Sequence, residues 1–278
     1  MRALIFSHYS GFNARSSHVG KALAHYQPHT DEIIFVSTSP LSFTAQQETA
    51  KHCTMVIERE NVGYDFMSWK TGLEALVGIN RYDEIIIAND SVIGPLADTK
   101  GLFARLRDDP RDVCGLTLSW EQARHVQSYF VRFNANPLRS GAFDDFWHHV
   151  TPLNDKQDVI DRYELKLTAF MSERGHTTGA LYESPRGFSV VDRLIHWARQ
   201  VDRRRPLKAI RSLRRSLSLN DLNPSIDLWR DCLDAGVPYV KRELLRDNPP
   251  GINIDHVIAH VEQRYGIEAA AMIAVSRT

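Results

Sequence analysis

The sequence predicts an α/β fold: a mostly parallel sheet flanked by helices, with a helical C-terminal portion. Three observations carry this. From Ala3 to Glu183 short apolar, β-rich runs alternate with segments of helical spacing, the pattern of parallel strands joined by crossover helices. Two polar turns, Asn61-Val-Gly-Tyr-Asp65 and Asn89-Asp90-Ser91, stand where a helix begins and where a strand ends. After Arg186 the chain changes character: between Arg193 and Arg215 there are nine Arg or Lys and a single acidic residue, Asp202. The expected division is therefore a nucleotide-binding type of core over residues 1–185 and a helical portion over 186–278.

Ala3 to Ser7 is a buried-type run ending in His8-Tyr9-Ser10, a first strand and its loop. Ser17 to His25 reads as a helix. Glu32 to Ser37 is β-rich and stopped by Ser-Thr-Ser-Pro. Gln46 to His52 reads as a helix and Cys53 to Ile57 as a third strand. Asp65 to Val77 has helical spacing, with Phe66, Trp69, Leu73 and Leu76 on one face. Glu84 to Ala88 is a fourth strand, Thr99 to Arg107 a helix, and Val113 to Leu118 a strand. Val126 to Phe133 reads as one aromatic strand. Asp144 to Val150 and Lys156 to Arg174 read as helices, and Thr178 to Glu183 as a strand. Pro206 divides the basic stretch into two helices. Ile226 to Ala235 is a helix introduced by Asn223-Pro224, and Ile254 to Tyr265 a final amphipathic one.

At 278 residues the chain can bury a sizeable core. Its formal net charge of zero gives no overall attraction to nucleic acid. Three scattered cysteines, Cys53, Cys114 and Cys232, match neither a metal-ligand spacing nor a disulfide framework and read as incidental thiols of a reducing compartment. The start of the chain is too short an apolar run for a signal peptide, and no stretch reaches membrane-span length. The cytoplasm is the expected compartment.

Ligands of open α/β sheets bind at the carboxyl ends of strands, beside helix N-termini. Asp90, flanked by Asn89 and Ser91, ends an apolar strand. Such a carboxylate suits a hard cation such as Mg²⁺ or Mn²⁺ shared with phosphate oxygens, or a simple turn cap. Gly63 permits a positive φ or a close ligand approach. Asp65 is a natural N-cap, and Asn61 and Tyr64 flank the same turn; Tyr64 can stack on a base or pack. His8 and Tyr9 lie at the end of the first strand. His125, Gln127 and Ser128 precede the aromatic strand, where Tyr129 or Phe133 offers a sugar-face contact or simply joins the core. Glu164 is the candidate general base, with Asp161 one turn earlier; both also read as solvated helix carboxylates. Lys241, Arg242 and Arg246 form a basic cluster suited to a diphosphate. The Arg193–Arg215 stretch reads as a membrane-surface segment or an exposed basic helix pair. A Ser-His-Asp order, a P-loop, a zinc motif and Gly-x-Gly-x-x-Gly are all missing from the sequence.

These pieces in this order resemble the rhamnan synthesis protein F family. The resemblance runs through Asn61-Val-Gly-Tyr-Asp-Phe, Trp69-Lys70, Gly72-Leu73, Tyr82-Asp83, Asn89-Asp90-Ser91, Gly94-Pro95 and Gly115-Leu-Thr. It continues through His125-Val-Gln-Ser-Tyr-Phe, Ala142-Phe, Tyr163-Glu164 and Leu167-Thr168. Asn223-Pro-Ser, Leu228-Trp229, Pro238-Tyr-Val-Lys-Arg-Glu-Leu-Leu-Arg and Asn248-Pro249 complete it. It implies a GT-A-like (Rossmann-like) glycosyltransferase of bacterial cell-surface polysaccharide assembly. The implied donor is a nucleotide sugar, dTDP-rhamnose, and the implied acceptor a lipid-linked growing glycan at the inner face of the cell membrane. It implies an inverting reaction with Glu164 as base, Asp90 as donor or metal ligand, and Lys70 in the donor site. Asn89-Asp90-Ser91 departs from the usual Asp-x-Asp of such enzymes, so Lys241 and Arg242 can share a cation's task. Two alternatives are another donor sugar (fucose, galactose or mannose) and a non-catalytic glycan-assembly module.

Overall fold

The computed structural model describes residues 1–10, 17–218 and 221–275. The strands are β1 (Arg2–His8), β2 (Glu32–Ser37), β3 (Met55–Glu58), β4 (Glu84–Asn89), β5 (Val92–Ile93), β6 (Val113–Ser119), β7 (His125–Val126), β8 (Phe130–Asn134), β9 (Thr178–Glu183) and β10 (Val240–Lys241). The helices of the first two thirds are α1 (Ser17–Tyr26), α2 (Phe43–Ala50), α3 (Tyr64–Glu74), α4 (Lys100–Asp108), α5 (Ala135–Arg139), α6 (Ala142–His148), α7 (Lys156–Val159) and α8 (Leu165–Glu173). They are followed by α9 (Val190–Gln200), α10 (Pro206–Ser218), α11 (Trp229–Asp234), α12 (Arg242–Arg246), α13 (Ile254–Tyr265) and α14 (Ile267–Val275).

Eight strands form one mixed sheet in the order β3-β2-β1-β4-β8-β6-β7, with β9 paired to β6. The pairs β3-β2, β2-β1 and β1-β4 are parallel; β8 runs antiparallel to both β4 and β6. This is the Rossmann-like α/β sheet flanked by helices that the sequence predicts, with an antiparallel strand beside β4. The chain forms two compact units. One comprises Met1–Asp90, Asp98–Leu116 and His125–Leu181; the other comprises Ser91–Ala97, Thr117–Arg124 and Tyr182–Thr278. The chain thus leaves the first unit immediately after Asp90.

In the first unit the apolar strands β1, β2 and β4 are buried almost throughout, as expected for strands covered on both faces. Helix α3 lies close against β1 and β2 because residue 72 is glycine. A Cβ there would stand 2.3 Å from Ile5 Cγ2 and 3.2 Å from Val36 Cγ2. Trp69 Nε1 donates to the Ala88 carbonyl at 2.8 Å and fixes the helix on β4. Ala is worth about 1 kcal/mol more than Gly in a helix interior, but overpacking costs about 1–3 kcal/mol. Gly72→Ala is therefore expected to destabilise the protein, by up to about 2 kcal/mol net in denaturant titration; a gain in stability would show that α3 can retreat from the sheet.

The second unit has its own core, including Ile93, Leu96, Trp229, Leu233, Leu244 and Val257. Within it β10 pairs antiparallel with β5, bringing Lys241 opposite Val92. Helix α11 is shorter than the sequence predicts, because the Asn223 carbonyl takes the N–H groups of Ile226, Asp227 and Leu228 in a turn. The aromatic strand expected from Val126 to Phe133 is broken into β7 and β8. Tyr129 and Phe133 are buried core residues, the second of the two readings that their sequence position allows. Cys114 and Cys232 are buried, and burial pushes the Cys114 thiol up to about 12, as for a structural rather than a reactive cysteine.

Candidate functional site

The predicted residues at the strand tips come together through sheet register. His8, the last residue of β1, pairs with Ser37 of β2, and Ser7 pairs with Asn89 of β4. One residue further along the parallel pair, His8 lies beside Asp90. Across the antiparallel pair Ala88 faces Phe130, and the Asn89 N–H donates to the Tyr129 carbonyl at 3.2 Å. That places Ser128 beside the end of β4. Strand residues alternate faces, so the row of residue 7 and residue 89 points one way and the row of residue 8 the other.

Asp65 serves the first of these rows. It was expected to cap α3, but the N-cap position belongs to Gly63, at φ +79°, and Asp65 lies within the first helical turn. Its Oδ1 accepts from Ser7 Oγ at 2.6 Å and its Oδ2 from Asn89 Nδ2 at 2.9 Å. The carboxylate therefore ties the helix start to the tips of two strands. A side chain at Gly63 has no room: its Cβ would stand 2.2 Å from Met67 Cγ. Arg59 steadies the same loop, its guanidinium donating to Ser68 Oγ at 3.1 Å and to the Val62 carbonyl; burial pushes its pKa down.

Asp90 belongs to the second row. It is only 6% exposed, but its surroundings are polar. Oδ2 accepts the Tyr9 backbone N–H at 3.3 Å and lies 3.9 Å from His8 Nε2. The imidazole is oriented from behind. Ser37 Oγ donates its one proton to the Ser39 carbonyl at 2.6 Å, so at 3.0 Å it accepts from His8 Nδ1. The Nε2 edge is thereby turned to the carboxylate. Ser39 Oγ also accepts from the Ser10 N–H at 2.8 Å, joining the loops after β1 and β2. Ser7, Ser37 and Ser39 belong to no motif in the sequence; a hydroxyl at the last or next-to-last position of a buried strand is the signal that marks Ser37 and Ser7.

Glu164 is fixed against the start of β8. Its Oε1 accepts from the Ser128 N–H at 3.0 Å and from Ser128 Oγ at 2.9 Å. The predicted continuous helix from Lys156 is interrupted by a π turn, Ile160–Glu164, that ends at this residue; such turns recur at functional sites. One turn on, Thr168 Oγ1 accepts the Val126 N–H at 2.8 Å, so two residues of one helix face grip the segment around Ser128. Asp161 instead is exposed and accepts from Gln157 Nε2 at 2.9 Å.

The other predicted residues fall as follows. His125 and Gln127 are buried beside Ser128. Tyr9 and Tyr64 are exposed, and Tyr64 Oη donates to the Asn154 carbonyl at 3.4 Å. Asn61 is exposed in the turn before α3. Lys70 donates from its ammonium to the Val150 carbonyl at 2.8 Å and the His148 carbonyl at 3.4 Å, closing the end of α6. In the second unit Lys241 Nζ donates to Ser91 Oγ at 3.1 Å and the Arg242 N–H to the Ser91 carbonyl at 2.9 Å. Two second-unit cavities, of about 250 Å³ and about 210 Å³, contain none of the predicted site residues.

A hard divalent cation needs several oxygen ligands. Asp90 brings one carboxylate, with a backbone N–H and an imidazole already upon it, and Asp65 is engaged with Ser7 and Asn89. No group of three or more His, Cys, Asp or Glu is placed to hold a metal among the described residues. This donor set does not fit a cation site built by the protein.

The sequence model of the family described as rhamnan synthesis protein F matches residues 33–186. The chain belongs to the rhamnan synthesis protein F family. All the first-unit tip residues except those of β1 and the loop after it, Ser7, His8, Tyr9 and Ser10, fall inside the matched span. The virulence protein VirA of Vibrio anguillarum is 30% identical to this family member over 213 residues, 74% of this chain and 67% of VirA. The uncharacterized protein y4gN of Sinorhizobium fredii is 29% identical over 155 residues, 54% of this chain and 40% of its own. Among solved structures, residues 1–349 of S. aureus TarS in complex with UDP-GlcNAc align at a TM-score of 0.42 and 10% identity, over 99% of this chain and 91% of that one. The 4-diphosphocytidyl-2C-methyl-D-erythritol synthase of Anaerococcus prevotii aligns at a TM-score of 0.42 and 12% identity, over 66% and 89%. Membership places this chain in polysaccharide synthesis, with glycosyl transfer as the class of activity the family supports.

Proposed function

We propose that this family member transfers rhamnose from dTDP-rhamnose to a lipid-linked, growing cell-surface glycan at the inner face of the membrane, with inversion. The observation that carries this reading is the Glu164 carboxylate held on Ser128, beside the strand end that presents Asp90. An acceptor hydroxyl attacks the anomeric carbon and gives its proton to Glu164. The bond from that carbon to the diphosphate oxygen breaks, and the nucleoside diphosphate leaves with the electron pair. Asp90, oriented with His8, holds hydroxyls of the donor's sugar or ribose. Asn61, Gly63 and Tyr64 shape the donor side, and Asp65 positions Ser7 and Asn89. Lys241 and Arg242, the basic pair of the family resemblance, are the proposed cations for the leaving diphosphate. Positioning and charge stabilisation supply most of the acceleration.

The test is transfer of labelled rhamnose from dTDP-rhamnose to a rhamnosylated acceptor, beside a panel of other nucleotide sugars and with EDTA present. Transfer from the rhamnose donor, falling less than about ten-fold in EDTA, is expected on the donor set above. Transfer from a different sugar alone would change the donor assignment. Complete loss in EDTA, restored by Mn²⁺, would return Asp90 to a metal role. If thermal melting responds to no donor, the crevice belongs to a non-catalytic module.

A further inference from the structure

Helices α9 and α10 are amphipathic in an inverted sense. On α10 the side turned inward carries Ser212 and Ser216, both buried, whose hydroxyls donate to the Pro250 and Arg193 carbonyls. Arg215, on the flank, is paired with Asp227. The apolar residues are on the opposite side: Leu207 is 78% exposed, Ile210 53% and Leu217 46%. Spaced by three and seven residues, they form one outward stripe. Helix α9 repeats the pattern, burying Arg193 and exposing Val190, Val191 and Ile195. Ser189 and Asp192 close its start with a reciprocal capping box, so this face is presented by a well-terminated helix.

Water is an unfavourable partner for such a stripe, and its flanks indicate a better one. Arg199, Arg203, Lys208, Arg211 and Arg214 are exposed and make no ion pair among the described residues. Arg204, Arg205 and Arg215, in contrast, are paired with Asp202, Asp255 or Asp227. Unpaired cations interleaved with outward Leu, Ile and Val match a surface that is anionic at its face and apolar just beneath. Nucleic acid would use the cations and leave the leucines in water. No helix among the described residues is long and apolar enough to cross a membrane, so the fitting mode is lying on the surface. We propose that the outward face of α9 and α10 docks on an anionic lipid bilayer, with Leu207, Ile210 and Leu217 inserted at the headgroup–acyl boundary and Lys208, Arg211 and Arg214 on the lipid phosphates.

The experiment is co-flotation of the full chain with vesicles, without donor or acceptor, so its outcome and that of the transfer assay are independent. Vesicles of phosphatidylcholine and phosphatidylglycerol in equal parts should carry the protein at low salt, and pure phosphatidylcholine should not. The triple variant Leu207→Ser, Ile210→Ser, Leu217→Ser and the triple variant Lys208→Glu, Arg211→Glu, Arg214→Glu should each weaken binding about 100-fold. Both sets of positions are exposed, so thermal melting should match the parent, and rhamnosyl transfer to a soluble acceptor should be unchanged. Failure of the parent chain to float with anionic vesicles overturns the proposal, as does full binding by the serine variant. Capture of a single-stranded RNA that strips the protein from vesicles, with the serine variant binding RNA normally, would assign the face to nucleic acid and overturn it too.

Discussion

Asp90→Asn is expected to leave a folded protein whose sugar transfer falls on the order of 10²–10³-fold, the usual cost of removing one preorganised electrostatic group. The asparagine is the informative substitution because of what surrounds the carboxylate. Oδ2 accepts the Tyr9 N–H and faces His8 Nε2, and an amide oxygen can go on accepting that N–H. Alanine would leave that part-buried donor without its side-chain acceptor and so mix a structural defect with a catalytic one. With asparagine, the loop after β1 stays in place and only the charge is lost. Turnover at saturating donor, donor binding by calorimetry and the melting temperature separate the possibilities. Loss of donor affinity with an unchanged melt places Asp90 on the donor; full turnover by the folded variant removes Asp90 from the mechanism.

Much of the fold is legible because buried parallel strands are written as short Val/Ile runs with sharp polar ends. β2, β9 and α13 fall at the bounds that their sequence signals mark. The β10–β5 pair is two residues long on each side, too short for any periodicity to register. The tip residues His8 and Asp90 could be read as candidates because a polar side chain ending an apolar run has no packing purpose. Their mutual placement could not, since it depends on the register of β1 against β4. Asp65 and Lys70 show the limit more clearly. Both lie on α3 within a matching motif, yet one turns to Ser7 and Asn89 and the other to the carbonyls ending α6. Which way a helix is rotated against a sheet is decided by close contacts such as Gly72 on Ile5, and a single sequence does not spell those out. The basic stretch makes the same point in reverse. Its amphipathic spacing is plain, but that the serine side packs inward and the leucine side does not is a fact of the folded unit.

Glu164→Gln is expected to bind donor as the parent does and to lose transfer by about 10²–10⁴-fold, the contribution typical of a positioned general base. The geometry makes this a clean substitution. Both hydrogen bonds to the carboxylate are received by one oxygen, from the Ser128 N–H and Ser128 Oγ. A glutamine Oε1 accepts the same two protons, so the side chain keeps its position and the π turn keeps its end. What disappears is the capacity to take a proton from an attacking hydroxyl. Ser128→Ala provides the internal comparison: the backbone N–H still holds Glu164, so transfer should fall far less, by about ten-fold at most. If Glu164 were only a structural anchor, the ranking would invert, with glutamine nearly silent and the serine variant showing up in the melt. Single-turnover transfer with preloaded donor distinguishes these cases. A glutamine variant that turns over at the parent's rate would shift the base to another carboxylate, and Asp161, exposed and held by Gln157 one turn earlier, would be the next to substitute.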